Sequence, residues 1–535
     1  FDQTHWGKIN SFFRRSSSMS PEDVLNYSYK YYGMVNLTMN IKLTTENLHV
    51  ISADTMIIYL FEDLVINKWV NELDVALNGA ISNLIDVGDF KGEIGQIAVL
   101  YSQGAIQSQR IIVAGSGSLE GISLENIRRG AANAILKARE LQASTIVTYM
   151  LEDKHGGLTD EAISQATAEG YLLALYDYVG QKTCENKLNP PKTLNIVVNP
   201  DTLVAVQSGI KAGEAIAAGT ILARDLVNLP PNICNSIYMA DSASQMGEER
   251  DLRVQVLDEN QIAELKMGAF LGVARGSDTP PRFIIMEYNG DQKDNFDTIV
   301  LIGKGITFDT GGYNLKPAEN QGTMKADMAG AAAIIGTMRS ISLLEPNVHV
   351  VGLAPVVDNM ISGRAYRQQE VVTASNGVTI EIGNTDAEGR MLLADALVYA
   401  NRYKPAAVVD IATLTGASVT ALGRAASSLF STDNVLREKL EAAAAETGEK
   451  LWPMPLYPEY EKAIESETAD IKNSGGKFSG VGSSATFLKH FVSYPAWAHI
   501  DMAGLATDAK DNPYIPKKGA TGYGVRLLSE FVRRW

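Results

Sequence analysis

The sequence has few residues of the types that build thiolate, disulfide or histidine-rich sites. Its 535 residues include two cysteines, Cys184 and Cys234, and six histidines. Two cysteines are too few for a disulfide framework or a four-thiolate zinc site, and their scarcity indicates a reducing compartment. No two histidines have the His-Glu-x-x-His spacing of one large class of zinc sites. Any metal site in this chain must therefore use mainly other ligands.

Positive charge and long apolar runs are also scarce. The chain has 47 Lys and Arg against 62 Asp and Glu, which gives a formal net charge of −15. A negative surface repels nucleic acid and anionic membranes. Every apolar stretch is interrupted by Asp, Glu, Gly or Pro before it reaches the length of about 20 residues that a membrane helix needs. We expect a cytoplasmic protein that binds neither a membrane nor nucleic acid.

What the sequence does contain is an alternation of strand and helix patterns. Short apolar runs such as 55–61 and 145–149 are separated by amphipathic stretches such as 124–141. This alternation predicts an α/β fold of two domains, each with a mostly parallel or mixed sheet flanked by helices. A long helical pattern over 203–227 stops at Pro230, because proline cannot continue a helix. We expect this long helix to join the two domains.

The predicted boundaries follow from these patterns. We expect an N-terminal tail over 1–45, a first α/β domain over 46–202, a linker helix over 203–230 and a second α/β domain over 231–535. The tail begins Phe1-Asp2-Gln3 and is rich in Arg and Ser at 14–18. Residues 1–20 fit a disordered or appended segment, and a native or transit segment is the alternative.

The chemically informative residues all lie in the second predicted domain. An apolar run ends in a Gly-rich stretch at 303–312 that contains Lys304 and Asp309, and Lys316 follows it. A Gly-rich turn after a buried strand is a common place for a site in an α/β sheet. The stretch lacks both the Walker pattern and the third glycine of the dinucleotide fingerprint. A tight turn with solvated charges is the alternative interpretation.

Two further stretches contribute carboxylates. Asp327 precedes a helical pattern rich in alanine, where it could serve either as an N-cap or as a cation ligand. The stretch 384–390 contains Asp386, Glu388 and Arg390, which would share one face if strand geometry lasted. Neighbouring carboxylates repel each other unless a cation lies between them. The alternative is a polar turn in which Glu388 pairs with Arg390.

Taken together, these stretches offer Asp309, Asp327, Asp386 and Glu388 as oxygen ligands. Enough oxygens are present for two hard or borderline divalent ions. The lysines need another explanation, since an ammonium avoids a metal. A lysine fits there as a neutral amine ligand or as a group that faces developing negative charge. From carboxylates alone, a two-metal phosphoryl-transfer enzyme is an alternative.

The stretch 384–390 resembles the signature of the leucyl aminopeptidase family (M17), the two-metal cytosolic aminopeptidases. Lys304, Asp309, Lys316 and Asp327 also fall where the motifs of that family have them. The segments 223–231, 412–417 and 519–522 are similar to further family motifs. The resemblance extends from about residue 220 to the end, and the first half matches only in its general α/β character.

The resemblance implies a metal assignment. Lys304, Asp309, Asp327 and Glu388 would hold one ion, and Asp309, Asp386 and Glu388 the other. The ions would be zinc, with manganese, magnesium or cobalt able to replace zinc at one site. A water that bridges them would attack the first peptide bond of a substrate with a free amino terminus.

The resemblance also implies the other roles. Lys316 would stabilise the oxyanion, and Arg390 would hold a bicarbonate ion that shuttles the proton. An apolar pocket that prefers Leu or Met side chains would be lined by Met324, Thr413, Gly416, Ala503 and Ala506, with Leu414 contributing backbone contacts. The implied protein is a leucyl aminopeptidase that degrades peptides and forms a homohexamer. A nucleic-acid-binding or regulatory paralogue is the alternative function, which the negative charge disfavours.

Overall fold

The structure is a computed structural model that describes residues 39–535 except 49, 119, 152–156, 179, 183–188, 251, 477, 479 and 510. Most of the tail predicted over 1–45, including residues 1–20, therefore lies outside the described residues, as does Cys184. Among the described residues, no helix is both long enough and apolar enough to span a bilayer.

The first half of the described chain contains a six-stranded sheet with four helices. The strands are β1 Asn40–Thr44, β2 Thr55–Leu60, β3 Ile97–Tyr101, β4 Arg110–Gly115, β5 Thr145–Tyr149 and β6 Thr193–Val197. The helices are α1 Lys68–Ala76, α2 Ala80–Asp86, α3 Leu124–Glu140 and α4 Asp160–Ala174. The strand order is β1-β6-β5-β2-β4-β3, and only β3 runs antiparallel to its neighbour.

Two details of this half differ from the prediction. Residues 40–44, which the prediction assigned to the tail, form β1 and pair in parallel with β6. Their mixed polar and apolar sequence suits an exposed edge strand and gives little signal by itself. The helical periodicity over 65–84 predicts one helix, but the structure divides this stretch into α1 and α2 at Asn78 and Gly79, both of which have positive φ angles. Such angles end a helix.

The linker helix, α5 Leu203–Asn228, packs against both halves. A Cβ atom at Gly209 would collide with Ser164 of α4, so the two helices approach closely only because this residue is glycine. Buried charged side chains connect the two halves a second time. Arg128 Nε lies 2.6 Å from Glu169 Oε2, and Glu169 lies 3.6 Å from Arg526 near the C-terminus. The first sheet is therefore joined to the rest by packing and by buried charge.

The second half is built on a nine-stranded sheet and a small three-stranded one. The strands are β7 Arg253–Leu257, β8 Arg282–Tyr288, β9 Thr298–Gly303, β10 Gly305–Asp309, β11 His349–Asn359, β12 Val371–Thr373, β13 Thr379–Glu381, β14 Ala407–Ala412, β15 Ser427–Ser431, β16 Leu451–Pro453, β17 Ile471–Lys472 and β18 Trp497–Asp501. The large sheet has the order β16-β15-β18-β14-β9-β11-β8-β7, with β10 also paired to β11, and the small one has the order β12-β13-β17.

Helices cover both faces of the large sheet. They are α6 Ser236–Arg250, α7 Glu259–Glu264, α8 Gly268–Ala274, α9 Ala318–Gln321, α10 Ala329–Leu344, α11 Gly389–Ala400, α12 Gly416–Leu422, α13 Asn434–Thr447, α14 Gly480–Lys489 and α15 Val525–Arg533. One apolar core lies between the sheet and α10 and α15, and a second lies between the sheet and α8, α11 and α14. The predicted α/β fold, with flanked sheets joined by a long helix, is confirmed.

The parallel strands at the centre of this sheet determine where a site can form. β9, β14 and β18 run in parallel, so their carboxyl ends, at Gly303, Ala412 and Asp501, lie at one edge. Ligands of open α/β sheets bind at such an edge. The stretch after β9 is not the loop that the glycines predict. Residues 305–309 form β10, because the chain shifts sideways after Gly303 to pair with the end of β11.

Candidate metal centre

Lys304 lies at the step between β9 and β10, at the carboxyl edge of the large sheet. Its backbone N–H donates to Ile411 O of the neighbouring strand at 3.1 Å, which fixes the position of its Cα. The side chain is 3% exposed. A Cβ atom at Gly389 would collide with Cε of this lysine, so the buried aliphatic chain passes over a glycine. The fold thus confines the Lys304 side chain beside Gly389, so that its ammonium is directed into the site.

The Lys304 ammonium is surrounded by oxygen atoms. Its Nζ atom lies 2.8 Å from Asp327 Oδ1, 2.9 Å from Glu388 Oε1 and 2.9 Å from Thr413 O. Thr413 Oγ1 also donates to Asp327 Oδ1 at 2.7 Å. The position of Asp327 before an alanine-rich pattern suggests that it caps a helix, but the structure shows that it does not. Helix α10 begins after Met328, and no side chain accepts a capping hydrogen bond there.

Lys316 forms a second cluster with the carboxylates of Asp309 and Asp386. Its Nζ atom lies 2.8 Å from Asp309 Oδ2 and 2.5 Å from Asp386 Oδ1. The Lys316 side chain is 16% exposed, whereas that of Lys304 is almost fully buried. Lys316 is therefore the more accessible of the two ammonium groups.

The residues of 384–390 converge through a turn and not along a strand. β13 ends at Glu381, and α11 begins at Gly389, directly after Glu388. Glu388 pairs with Lys304, while Arg390 Nη1 donates to Asn473 O at 2.7 Å. The polar-turn alternative, in which Glu388 pairs with Arg390, is therefore wrong.

The electrostatic environment keeps both lysines charged. Burial by itself lowers the pKa of Lys304, but the charges of Asp327 and Glu388 outweigh burial and raise the pKa above its usual value. Burial likewise lowers the pKa of Lys316, and the charges of Asp309 and Glu388 outweigh it in the same way. Each ammonium is stabilised by the carboxylates that it contacts.

The carboxylates respond in different directions. Burial, together with the neighbouring carboxylates, raises the pKa of Asp327 to about 8 and that of Asp386 to about 6. Burial also opposes ionisation of Glu388, but the charges of Lys304 and Lys316 outweigh it and lower the pKa of Glu388. Glu388 is therefore ionised at the centre of the cluster.

The cluster fits the requirements of divalent cations. Ligand oxygens of Asp309, Asp386 and Glu388 all lie within 4.8 Å of one another. When all four carboxylates of the site are ionised they outnumber its two ammonium groups, and a divalent cation would compensate the excess negative charge. Carboxylate oxygens suit Mg²⁺ and Mn²⁺, and Zn²⁺ also accepts them. A bound dication would also favour ionised Asp327 and Asp386 and a neutral Lys304 amine.

Several supporting residues have no obvious signal in the sequence. Asn359, the last residue of β11, donates to Asp309 Oδ1 at 2.7 Å and to Thr385 O at 3.1 Å. Thr385 Oγ1 donates to Gly311 O at 2.7 Å and accepts from Asn314 N at 2.8 Å. These contacts hold the Asp309 loop against the 384–390 turn.

Several of the residues expected to bind substrate lie in two segments, 413–416 and 502–503, at the same sheet edge. Asp501, which ends β18, accepts hydrogen bonds from Leu414 N at 3.1 Å, Thr415 Oγ1 at 2.6 Å and Ala503 N at 3.2 Å. Asp501 therefore connects the 413–416 loop with the 502–503 loop, and sequence reasoning missed it. A Cβ atom at Gly416 would meet no atom of the described residues within 4 Å.

The other two residues expected in the pocket are Met324 and Ala506, which lie outside the 413–416 and 502–503 segments. Met324 begins a short 3-10 turn, Met324–Ala326, that leads into Asp327. Ala506 is buried, and its carbonyl accepts from Thr521 N at 3.0 Å. The structure thus places Met324 three residues before a site carboxylate and Ala506 on the loop that continues from Ala503.

Comparison with known families gives two matches that cover most of the chain. Residues 221–529 match the catalytic domain of the cytosol aminopeptidase family, and residues 57–184 match its N-terminal domain. A probable cytosol aminopeptidase of Alkaliphilus metalliredigens is 36% identical over 500 residues, which are 92% of this chain and 99% of the relative. Another, of Geotalea uraniireducens, is 40% identical over 477 residues, or 87% of this chain and 94% of the relative.

Solved structures give the same result. A mutant of tomato leucine aminopeptidase has a TM-score of 0.82 and 33% identity, covering 93% of this chain and 97% of its own. The bottromycin maturation enzyme BotP in complex with Mn has a TM-score of 0.79 and 31% identity, covering 90% and 99%. The chain therefore belongs to the cytosol aminopeptidase family (M17), whose members are metal-dependent hydrolases that remove residues from the amino terminus of peptides.

Proposed function

We propose that this chain is a two-metal leucyl aminopeptidase that releases N-terminal Leu or Met-like residues and acts in peptide turnover. The observation that supports this most directly is the closeness of the Asp309, Asp386 and Glu388 oxygens, which lie within 4.8 Å of one another beside two lysines. The family match gives the reaction class. The carboxylate and lysine side chains of the site could bind metal ions without any histidine ligand.

The proposed ligands divide into two sets. Lys304, Asp309, Asp327 and Glu388 would hold one ion, and Asp309, Asp386 and Glu388 the other, so that Asp309 and Glu388 are shared. Two bound ions would supply Lewis acidity and an activated water for peptide hydrolysis. We propose zinc as the metal, with manganese, magnesium or cobalt as replacements at one site. The Mn complex of BotP, a structural relative, supports the choice of manganese.

Lys316 is proposed to stabilise negative charge on the substrate. Its ammonium is the more accessible of the two, and it contacts Asp309 at the end of β10 and Asp386 in the 384–390 turn. An ammonium at that position can face the oxygen of the scissile carbonyl as it becomes negative. The burial of Lys304 supports a different role for that lysine, as a ligand and not as a substrate contact.

Arg390 is proposed to bind bicarbonate, which would transfer the proton. The guanidinium is buried, and within the described part of the chain Nη1 donates to one carbonyl, Asn473 O. Its Nε atom is buried without a hydrogen-bond partner among the described residues. A buried guanidinium with a free donor fits a small planar anion, since carboxylate-like anions match its geometry.

The remaining proposals concern the substrate pocket and the assembly. Met324, Thr413, Gly416, Ala503 and Ala506 would line the pocket for the first side chain, and the backbone of Leu414 would bind the peptide. Most of these residues are small or apolar, which supports a preference for Leu or Met. We further propose a cytoplasmic homohexamer with a catalytic domain over 231–535, a linker over 203–230 and a variable domain over 46–202 that strand β1 extends back to residue 40.

Hydrolysis of a panel of aminoacyl anilides tests the proposal. Leu and Met anilides should be cleaved fastest, N-acetylated Leu anilide should be inert, and a chelator should abolish cleavage until Zn²⁺ or Mn²⁺ is restored. Full activity in the presence of the chelator, or cleavage of the N-acetylated substrate, would refute the mechanism.

A pair of lysine variants tests the site more narrowly. Lys316→Met should lower kcat by at least about 100-fold, the size expected for loss of one group that stabilises an oxyanion. Lys211 is exposed and pairs with Glu345 at the surface, so Lys211→Met is a matched control that should retain full activity. Equal effects of the two substitutions would contradict the role of Lys316.

A further inference from the structure

Two buried histidines of the large sheet have very different hydrogen-bond partners. His349 Nδ1 lies 2.8 Å from Thr298 Oγ1, and its Nε2 lies 3.0 Å from Glu287 Oε1. His499 Nδ1 lies 2.5 Å from Asp410 Oδ1, but its Nε2 is buried without a partner among the described residues. Buried polar atoms in proteins nearly always have partners, so the Nε2 atom of His499 requires an explanation.

Asp410 orients the imidazole of His499. Its second oxygen, Oδ2, accepts from Trp497 Nε1 at 2.7 Å, so both carboxylate oxygens are used. Since the carboxylate accepts, Nδ1 of His499 must carry the hydrogen that is donated to Asp410. The rings of Phe430 and Trp497 are stacked near the imidazole, with centroids 6.2 and 6.4 Å away. The ring is thereby fixed in orientation as well as in tautomer.

His499 lies on the face of β18 that is directed toward the metal centre. Successive side chains of a strand alternate between faces, so Trp497, His499 and Asp501 of β18 share one face. Trp497 belongs to the apolar core that includes Met391 of α11. Asp501, two residues beyond His499, connects the substrate loops, and Arg390 lies in the first turn of α11. His499 therefore lies between the core beneath α11 and the edge that carries the site.

The charged groups around His499 favour the imidazolium form. Burial lowers the pKa of His499, but the charge and hydrogen bond of Asp410, together with the charge of Asp501, outweigh burial and raise it, while Arg390 opposes them. Tyr494 is the other titratable group near Asp410, whose charge raises the pKa of that tyrosine. In the imidazolium form, Nε2 is a donor. Arg390 Nε is a second buried donor without a partner.

We propose that His499, oriented by Asp410, is a positioning residue of the aminopeptidase site that strengthens the binding of a small carboxylate-type anion at Arg390. Two buried cations, each with an unpaired donor on the same side of the sheet, attract one anion more strongly than Arg390 alone. This inference rests on the proposed anion site. It adds a pH dependence to that site, because loss of the His499 proton removes one of the two charges.

Binding of formate to the Zn²⁺-loaded protein, measured by isothermal titration calorimetry, tests the inference. Formate keeps its charge between about pH 6 and pH 9. We expect the affinity of the wild-type protein to fall about tenfold as the pH rises through the pKa of His499, the change that corresponds to one pKa unit of coupling. His499→Gln should bind formate weakly at low pH, with no pH dependence over this range.

Two control variants separate this role from a structural one. Trp497→Phe removes the other hydrogen bond to Asp410, and His349→Gln removes the fully paired histidine. Both should lower stability but keep the pH dependence of the wild type. A wild-type pH profile in His499→Gln, or a flat profile in Trp497→Phe, would overturn the role of His499.

The anion site itself has a separate test. Arg390→Met should abolish formate binding at every pH. If it binds formate as the wild type does, the proposed anion site is wrong, and the role of His499 is wrong with it. If Arg390→Met loses binding while His499→Gln keeps the wild-type profile, only the role of His499 is overturned.

Discussion

Replacing Gly389 with alanine tests how the fold leads Lys304 into the metal centre. Gly389 is the first residue of α11, and a Cβ atom there would lie 2.7 Å from Cδ and 2.8 Å from Nζ of Lys304, besides colliding with Cε. The lysine cannot yield easily, because its Nζ atom is bonded to Asp327, Glu388 and Thr413 O.

Two opposing effects determine the magnitude. Alanine favours the helix over glycine by about 1 kcal/mol. Each hydrogen bond to a charged group contributes about 1.5–3 kcal/mol, and moving the ammonium weakens at least two of them. We expect Gly389→Ala to lower the free energy of unfolding by about 2–4 kcal/mol. A displacement of about 1 Å at a catalytic group can cost about 100-fold in rate, so kcat should fall by that order.

Chemical denaturation and Leu-anilide hydrolysis measure the two effects. Gly416→Ala is the matched control for stability, because Gly416 also begins a helix but a Cβ atom there would have free space. That control should be as stable as the wild type or slightly more so. If Gly389→Ala behaves like Gly416→Ala in denaturation and keeps its kcat, the Lys304 side chain is not confined against Gly389.

Three further predictions concern the support of the site, its protonation and the connection of the domains. Asn359→Ala should weaken metal binding about 10- to 100-fold, as losses of ligand-supporting hydrogen bonds do, because Asp309 loses a donor; calorimetric titration with Mn²⁺ would measure it. The pKa of Asp327 rises on folding from 3.8 to about 8, so the metal-free protein should lose stability as the pH rises through this range; melting curves with a chelator should show this fall, and added Mn²⁺ should oppose it. Glu169→Gln removes the buried carboxylate that pairs with Arg128 at 2.6 Å and leaves Arg128 with the longer 3.8 Å contact to Glu125. The substitution should cost about 3–5 kcal/mol in denaturant unfolding, whereas an equal stability would show that the pair is dispensable.

The sequence predicted which carboxylates lie close together better than it predicted the structure around them. Asp386 and Glu388 were recognisable because the stretch 384–390 resembles a short family motif, and Asp309 because it falls in a second one; the structure brings the three together. The local geometry was harder to predict. The Gly-rich stretch after β9 forms a strand because the end of β11 offers it a partner, and the paired residues of β11 lie about 50 residues later in the chain. Periodicity within one segment contains no information about such a partner.

Contacts between distant strands were beyond sequence reasoning. Asp410 and His499 meet because β14 and β18 are neighbours in register, and Asp501 reaches the 413–416 loop for the same reason. Each residue taken alone resembles an ordinary polar position in an apolar run. The edge strand β1 was missed for a related reason, since its few mixed residues acquire meaning only through pairing with β6.

The most direct test of the central claim is a titration of the metal-free protein with Mn²⁺ or Zn²⁺, in which bound metal and Leu-anilide hydrolysis are followed in the same samples. The account predicts that two ions bind per chain, that activity reaches its maximum only when both are bound, and that Glu388→Gln, which changes a shared ligand, loses tight binding of both. Full hydrolytic activity in the chelated protein, or in Glu388→Gln without bound metal, would contradict it.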